Sequence, residues 1–298
     1  MYKAQLQKLL NIPKVQQKTE KWYEMRMNMI TASDFAQALG EGKFGTQKQL
    51  IEKKCTPREN ENAISKANPF FKWGNMFEPV AVSIYEKLSN AHVHEFGLIQ
   101  HPKYSFFGAS PDGITDDGIM LEIKCPFKRK LTGDIPLQYY YQIQGQLDVC
   151  GLEECDYFEC MFELVDSRES FMHIKDKIKG VIKEIGNVYE YQQPFMVNED
   201  DSHAWCTHEC KYWVLQDMNL KRVVKDAKFV DEKLKELEKI WDKILYYRSN
   251  PSAFQIEVLN QINIDSEKYS GNIKHKSKQL PKKKFNLMNG GDTYMFLD

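Results

Sequence analysis

Apolar residues recur at helical spacing over residues 73–88, where Phe77, Val80, Ala81, Ile84 and Leu88 form one stripe. That spacing predicts an amphipathic helix with the stripe as its buried face. Glu78 falls beside it, and the following Pro79 fits a first helical turn. Further on the period changes. Asp116-Asp117-Gly118 separates two short apolar or β-branched runs, which reads as a β-hairpin. In the second run Leu121, Ile123 and Cys125 face one way and Glu122 and Lys124 the other. A register symmetric about Asp117 sets Asp112 across from Glu122.

A second helix is expected over residues 136–150, with Asp134 as cap and Pro136 at an early helical position. Tyr139, Gln142 and Gln146 share one of its faces, while Ile143, Leu147 and Cys150 share another. Gln144 and Gln146 read as surface or packing residues. Residues 155–164 read as a strand, 170–174 as its hairpin partner, and 175–192 as a helix closing the core. Pro194-Phe195 and the polar run from Asn198 to Ser202 mark a boundary. Val230, Leu234, Leu237, Trp241 and Ile244 then make a heptad-like stripe over 225–247, expected to dock on its own domain rather than to form an oligomer seam. These elements predict an α/β (α+β) core over residues 1–195, a helical extension over 196–250 and a basic, flexible tail over 251–298. Lys274, Lys276, Lys278 and Lys282-Lys283-Lys284 lie in that tail, where they suit a DNA-tracking arm, a localisation signal or a solvated end.

The hairpin gathers the candidate chemistry. Asp112 and Glu122 supply carboxylate oxygens suited to a hard cation such as Mg²⁺, and Lys124 supplies an ammonium beside them. Two acids and a lysine so placed are what metal-assisted phosphodiester hydrolysis requires: the metal polarises the phosphoryl group and generates hydroxide, and the lysine orients or deprotonates the nucleophile or stabilises charge. Glu-x-Lys or Asp-x-Lys is common on its own. Glu41/Lys43, Glu52/Lys54, Glu209/Lys211, Asp226/Lys228 and Asp231/Lys233 repeat it and read as solvated charges. The hairpin and the upstream acid Glu78 set Glu122/Lys124 apart.

Gly74-x-x-x-Glu78, Ser110-Pro111-Asp112-Gly113, Glu122-x-Lys124-Cys125-Pro126-Phe127 and Tyr141-Gln142-x-Gln144 together resemble the lambda exonuclease and YqaJ-like viral recombinase branch of the PD-(D/E)XK nucleases, over about residues 19–190. The resemblance implies a restriction-endonuclease-like core, a central mixed sheet flanked by helices. It implies Mg²⁺, with Mn²⁺ able to substitute, held by Asp112, Glu122 and the Ile123 carbonyl. Glu78 would assist at the metals, Lys124 would serve the attacking water, and Gln142, the best positional match, would position water or lysine. In Trp22-Tyr-Glu-Met-Arg26 and Thr31-Ala-Ser33-Asp34 the family match implies a 5′-phosphate pocket built on Arg26 and Ser33, with Ser110 a further candidate. Guanidinium forks and helix N-termini suit phosphate, and Thr31-x-x-Asp34 reads as a capping box placing Ser33 in the first turn of a helix that runs to Leu39.

The implied activity is a DNA exonuclease acting 5′ to 3′ from linear duplex ends in recombination, repair or viral replication. A single-strand annealing or recombination protein is an implied partner, and ring-forming relatives make a homo-oligomer conceivable. A DNA-binding recombination partner without cleavage, and a single-strand or flap nuclease, stay open as alternatives. The 298 residues carry a formal net charge of only −1, so any DNA-binding surface must be a local positive patch. No eighteen-residue apolar run or secretory leader is present, which reads as an intracellular, soluble protein without a membrane span. The seven cysteines are expected as reduced thiols, and Cys206-Thr-His208-Glu-Cys210 lacks the pairing of a zinc site.

Overall fold

The computed structural model describes residues 2–17, 19–56, 68–186, 188–192 and 210–257. The chain divides into two compact units, Met1–Leu245 and Tyr246–Asp298. In the second, residues 246–249 and 251–257 are helical. The basic tail lysines and the Cys206/His208 segment lie outside the described residues.

In the first unit, helices α1 (Tyr2–Leu10) and α2 (Glu20–Met27) precede strand β1 (Ile30–Thr31), a 3-10 turn at Ala32–Asp34, and helices α3 (Phe35–Ala38) and α4 (Gln47–Cys55). Helix α5 (Pro69–Ser89) leads to strands β2 (Val93–His94), β3 (Ile99–Gln100) and β4 (Phe107–Ala109), then to the hairpin β5 (Gly113–Thr115) and β6 (Met120–Lys124). After it come α6 (Leu137–Cys150), β7 (Glu154–Val165), α7 (Arg168–His173), β8 (Lys179–Ile185), β9 (Val188–Tyr191), β10 (Cys210–Val224) and α8 (Ala227–Ser249). The large sheet runs β2-β5-β6-β7-β10-β8-β9, and a small one runs β1-β4-β3. Among the described residues only β6 and β7 pair in parallel within the large sheet, so it is mixed and flanked by helices as expected.

Helix α5 begins earlier than its apolar stripe, because Asn68 caps it and Pro69 occupies its first position. Pro79 and Glu78 therefore sit mid-helix, not in a first turn, and Leu88 is 55% exposed instead of buried. The rest of the stripe packs on the sheet: Phe77 stacks on Phe162 at 4.4 Å and 8°, with Trp213 edge-on to Phe162 at 5.3 Å. Leu121 and Ile123 join this core from β6. Helix α6 starts at Leu137 with Pro136 in the cap position and no side-chain cap, so Asp134 is not its cap. It packs closely on the N-terminal elements because Gly145 has no Cβ; one placed there would meet Phe107 at 2.8 Å and Phe35 at 3.0 Å.

Three further expectations change. Residues 168–173 are a helix capped by Ser167, where a strand was expected. The expected helix over 175–192 is the β8–β9 hairpin, which turns at Gly186 (φ 62°) and pairs Ile185 with Val188. The segment expected as a helical extension contributes the longest strand of the sheet, β10, lying between β7 and β8. The sheet therefore does not close before residue 195. Helix α8 docks its stripe on its own unit, with Val230, Leu234, Leu237, Trp241 and Ile244 all buried and Phe229 against Tyr140 and Tyr141 at 5.3 and 4.8 Å.

Candidate active site and phosphate pocket

Gly118 turns the β5–β6 hairpin at φ 79°. The strands pair Gly113 with Leu121 and Ile114 with Met120, so the next step of the register sets Asp112 opposite Glu122. Asp112 Oδ2 accepts the Ile123 N–H at 2.6 Å. While Leu121 and Ile123 enter the core under α5, Glu122 faces the other way and is fully buried. One of its oxygens takes the Lys124 ammonium and the other the Gln146 amide, at 2.8 Å. The Tyr139 ring lies 4.9 Å from Lys124 Nζ, a cation–π distance.

The electrostatics separate the roles. Burial raises the Asp112 carboxyl well above the usual range, and the neighbouring charges of Glu122 and Glu78 push it the same way. Burial alone would lower the Lys124 ammonium, but Glu122 and Asp112 outweigh it and hold the side chain charged. A lysine so held orients and neutralises; it is a poor proton acceptor. Glu78 and Asp112 line one open cleft of about 890 Å³, which the N-terminal residues Lys14, Gln16 and Gln17 border.

Among the described residues no group of three His, Cys, Asp or Glu is already disposed to hold a metal, because Glu122 is turned into Lys124 and Gln146. The donor chemistry nevertheless fits a hard dication. Mutually repelling carboxylates, one buried enough to favour its protonated form, are stabilised when a cation joins them, and oxygen donors suit Mg²⁺.

A second cluster lies on α2, β1 and the 3-10 turn. Arg26 Nη2 donates to Ser33 Oγ at 3.2 Å, and its guanidinium stacks on Trp22 at 4.6 Å. Thr31 Oγ1 donates to Asp34 Oδ2 at 2.9 Å and lies 3.0 Å from Ser33 Oγ. The capping box is therefore not formed: Thr31 gives its proton to Asp34 instead of capping the turn. Trp22 Nε1 donates to Ser110 Oγ at 3.4 Å, and the Ser110 carbonyl accepts from Gln146 Nε2 at 3.5 Å. Ser110 thus bridges the Arg26/Ser33 cluster and the Glu122 carboxylate.

A family profile, the YqaJ-like viral recombinase domain, matches residues 21–153. That stretch holds both clusters. An uncharacterized protein of Acanthamoeba polyphaga mimivirus is 25% identical over 83% of this chain, which spans only 56% of that relative. The fold matches the crystal structure of an alkaline exonuclease from Laribacter hongkongensis, with a TM-score of 0.52 and 20% identity over 80% of this chain and 100% of that one. The same enzyme in complex with dAMP matches equally.

Within the matched stretch the glutamine that contacts Glu122 is Gln146, not Gln142. Gln146, one helical turn beyond Gln142 on the same face of α6, bonds Glu122; its orientation follows from two acceptors facing one nitrogen. Its Oε1 is buried without a hydrogen-bond partner among the described residues. Gln142 is only half-buried. Gln144 is buried, tying α6 to the Val224 carbonyl and the Asp226 N–H at 2.9 and 2.7 Å. Sequence reasoning also missed Lys54, 3% exposed rather than solvated, and the Glu159–Arg129 ion pair on the strand beside Lys124. The described cysteines form no disulfide.

Proposed function

We propose that this chain is a Mg²⁺-dependent deoxyribonuclease that removes nucleotides from duplex DNA ends, 5′ to 3′, in recombination or repair. The observation that carries the proposal is the bridge through Ser110, which joins an Arg/Ser anion cluster to a buried carboxylate–lysine site. A phosphate held at Arg26 and Ser33 fixes a DNA end at a constant offset from Glu122, and such an offset is what turns a phosphodiesterase into an end-dependent enzyme. No described helix is long and apolar enough to cross a membrane.

Asp112, Glu122 and the Ile123 carbonyl would hold the metal, with Glu78 beside them. When bound, Mg²⁺ supplies Lewis-acid polarisation of the phosphoryl oxygen and makes hydroxide accessible at neutral pH. The chain's own residues do the rest. Lys124 leaves Glu122 for the developing phosphorane charge and orients the attacking water. Gln146 keeps Glu122 in place, and its open acceptor takes a hydrogen from that water. Arg26, Ser33 and Ser110 bind the terminal 5′-phosphate by charge-assisted hydrogen bonds.

The test is digestion of linear duplex DNA bearing a 5′-phosphate or a 5′-hydroxyl, beside a closed circle, with Mg²⁺. The expected result is mononucleotide release from the phosphorylated 5′ end and an intact circle. Equal cutting of both end types by the wild type removes the phosphate pocket from the account.

A further inference from the structure

Helix α4 buries one face, Leu50, Ile51 and Lys54. Two of these are ordinary core residues; an ammonium among them requires a partner, because an uncompensated buried charge is strongly destabilising. Lys54 Nζ donates to the Arg26 carbonyl at 2.6 Å and lies 3.4 Å from Asp34 Oδ2. Asp34 stands farther from the Arg26 guanidinium, at 3.9 Å. Lys54 and Asp34 therefore meet beneath the Arg26 guanidinium, with Lys53 near enough to act on both.

We infer that Lys54 is a positioning residue of the terminal-phosphate pocket: its ammonium takes up the Asp34 carboxylate and so leaves the Arg26 guanidinium to an incoming phosphomonoester. The inference rests on the proposed phosphate pocket. Asp34 is needed where it is, since it accepts from Thr31 and, with Thr31 committed to it, Ser33 donates to Thr31 and presents its oxygen to Arg26. Such a carboxylate would compete for Arg26 if it were not otherwise neutralised. With Lys54 charged, Arg26, Asp34 and Lys54 together are a net cation; without it Asp34 offsets Arg26. A terminal phosphomonoester carries about −1.5 to −2, more than an internal diester, so a cationic cradle favours ends over backbone. The Asp34 carboxyl is held down at about 2, chiefly by Lys54 against the effect of burial. Arg26 is 23% exposed at its side chain against 3% for Lys54, so Arg26 is the group an anion reaches and Lys54 acts from behind it.

The measurement is the ratio of kcat/KM on 5′-phosphorylated to 5′-hydroxyl linear duplex, with Mg²⁺, for wild type, Lys54→Met, Asp34→Asn and the double variant, each checked by thermal melting. Lys54→Met lowers the ratio about tenfold, the loss of one charge-assisted contact. The double variant, in which Arg26 again stands as a net cation, recovers most of it, and Asp34→Asn alone equals or exceeds wild type. If Lys54→Met does not fold, the other two variants still decide. A double variant with no preference, or an Asp34→Asn variant with less than wild type, overturns the inference and leaves Lys54 a structural anchor. A wild-type preference that Lys54→Met keeps overturns this inference alone. A wild type indifferent to the end group overturns the phosphate pocket and the inference with it.

Discussion

The Gln146 amide nitrogen lies 2.8 Å from Glu122 Oε2 and 3.5 Å from the Ser110 carbonyl, so one side chain touches both the carboxylate site and the loop that borders the Arg26/Ser33 cluster. Removing it frees Glu122 to rotate and separates the two halves of the site. Gln146→Ala is expected to lower kcat roughly 10- to 100-fold, the worth of a hydrogen bond to a charged group. Gln142→Ala is expected to change it by no more than about twofold, as for a position outside the network. Steady-state kinetics on linear duplex DNA checks both, and a larger loss in Gln142→Ala would return the role to that residue.

Asp112 tests the metal. Its carboxyl is destabilised as an anion by burial, Glu122 and Glu78, so Asp112→Asn should melt at a higher temperature than wild type without metal, and hydrolyse no DNA. Saturating Mg²⁺ should raise the wild-type Tm by roughly 5 °C and leave the variant unmoved. Melting curves with and without Mg²⁺ read this directly; an equal rise in both proteins places the ion elsewhere.

Lys54 gives a pH dependence. Burial brings its ammonium down to about 8 despite the opposing pull of Asp34, with Arg26 and Lys53 also lowering it. The folded state gives up this proton before the unfolded chain does. Its charged form therefore costs stability below about 8, a cost that fades as pH rises toward the ordinary lysine value of 10.5. The functional consequence runs the other way: once Lys54 is neutral, Asp34 turns to Arg26. The preference for phosphorylated ends should fall between about pH 7 and 9, a window in which Asp34, held down at about 2, stays ionised. The double variant Lys54→Met/Asp34→Asn should show no such fall.

The position of β10 bears on the domain boundary. Because this strand lies between β7 and β8 and carries the fully buried Trp213, a chain ended after residue 195 should not fold. Circular dichroism and melting of that truncation against the full chain decide it; a cooperative transition in the short chain contradicts the central placement.

What the sequence made legible was local. The hairpin register followed from Asp116-Asp117-Gly118, and alternation on β6 separated Leu121 and Ile123 from Glu122 and Lys124 as the structure has them. The helices carrying Glu78 and the glutamines were read from period alone, and the face shared by Tyr139, Gln142 and Gln146 is the one turned toward Lys124 and Glu122. Which glutamine reaches Glu122 depends on how far α6 slides past β6, and that is set by the close approach at Gly145, a tertiary fact. The β8–β9 hairpin was hidden although Gly186-Asn187 is a turn signal, since its flanking lysines and glutamates suit a helix as well as an exposed strand. Lys54 looked like half of a solvated Glu-x-Lys pair. Its burial comes from Arg26 and Asp34, far away in sequence.

If Asp112, Glu122 and Lys124 form a metal-dependent hydrolytic site, removing the lysine stops hydrolysis without releasing the DNA. Wild type and Lys124→Ala are compared for mononucleotide release from 5′-phosphorylated linear duplex with Mg²⁺, and for binding of the same DNA. The expected result is a loss of about 10³-fold in hydrolysis with binding within about threefold of wild type. Hydrolysis by Lys124→Ala at the wild-type rate would contradict the account.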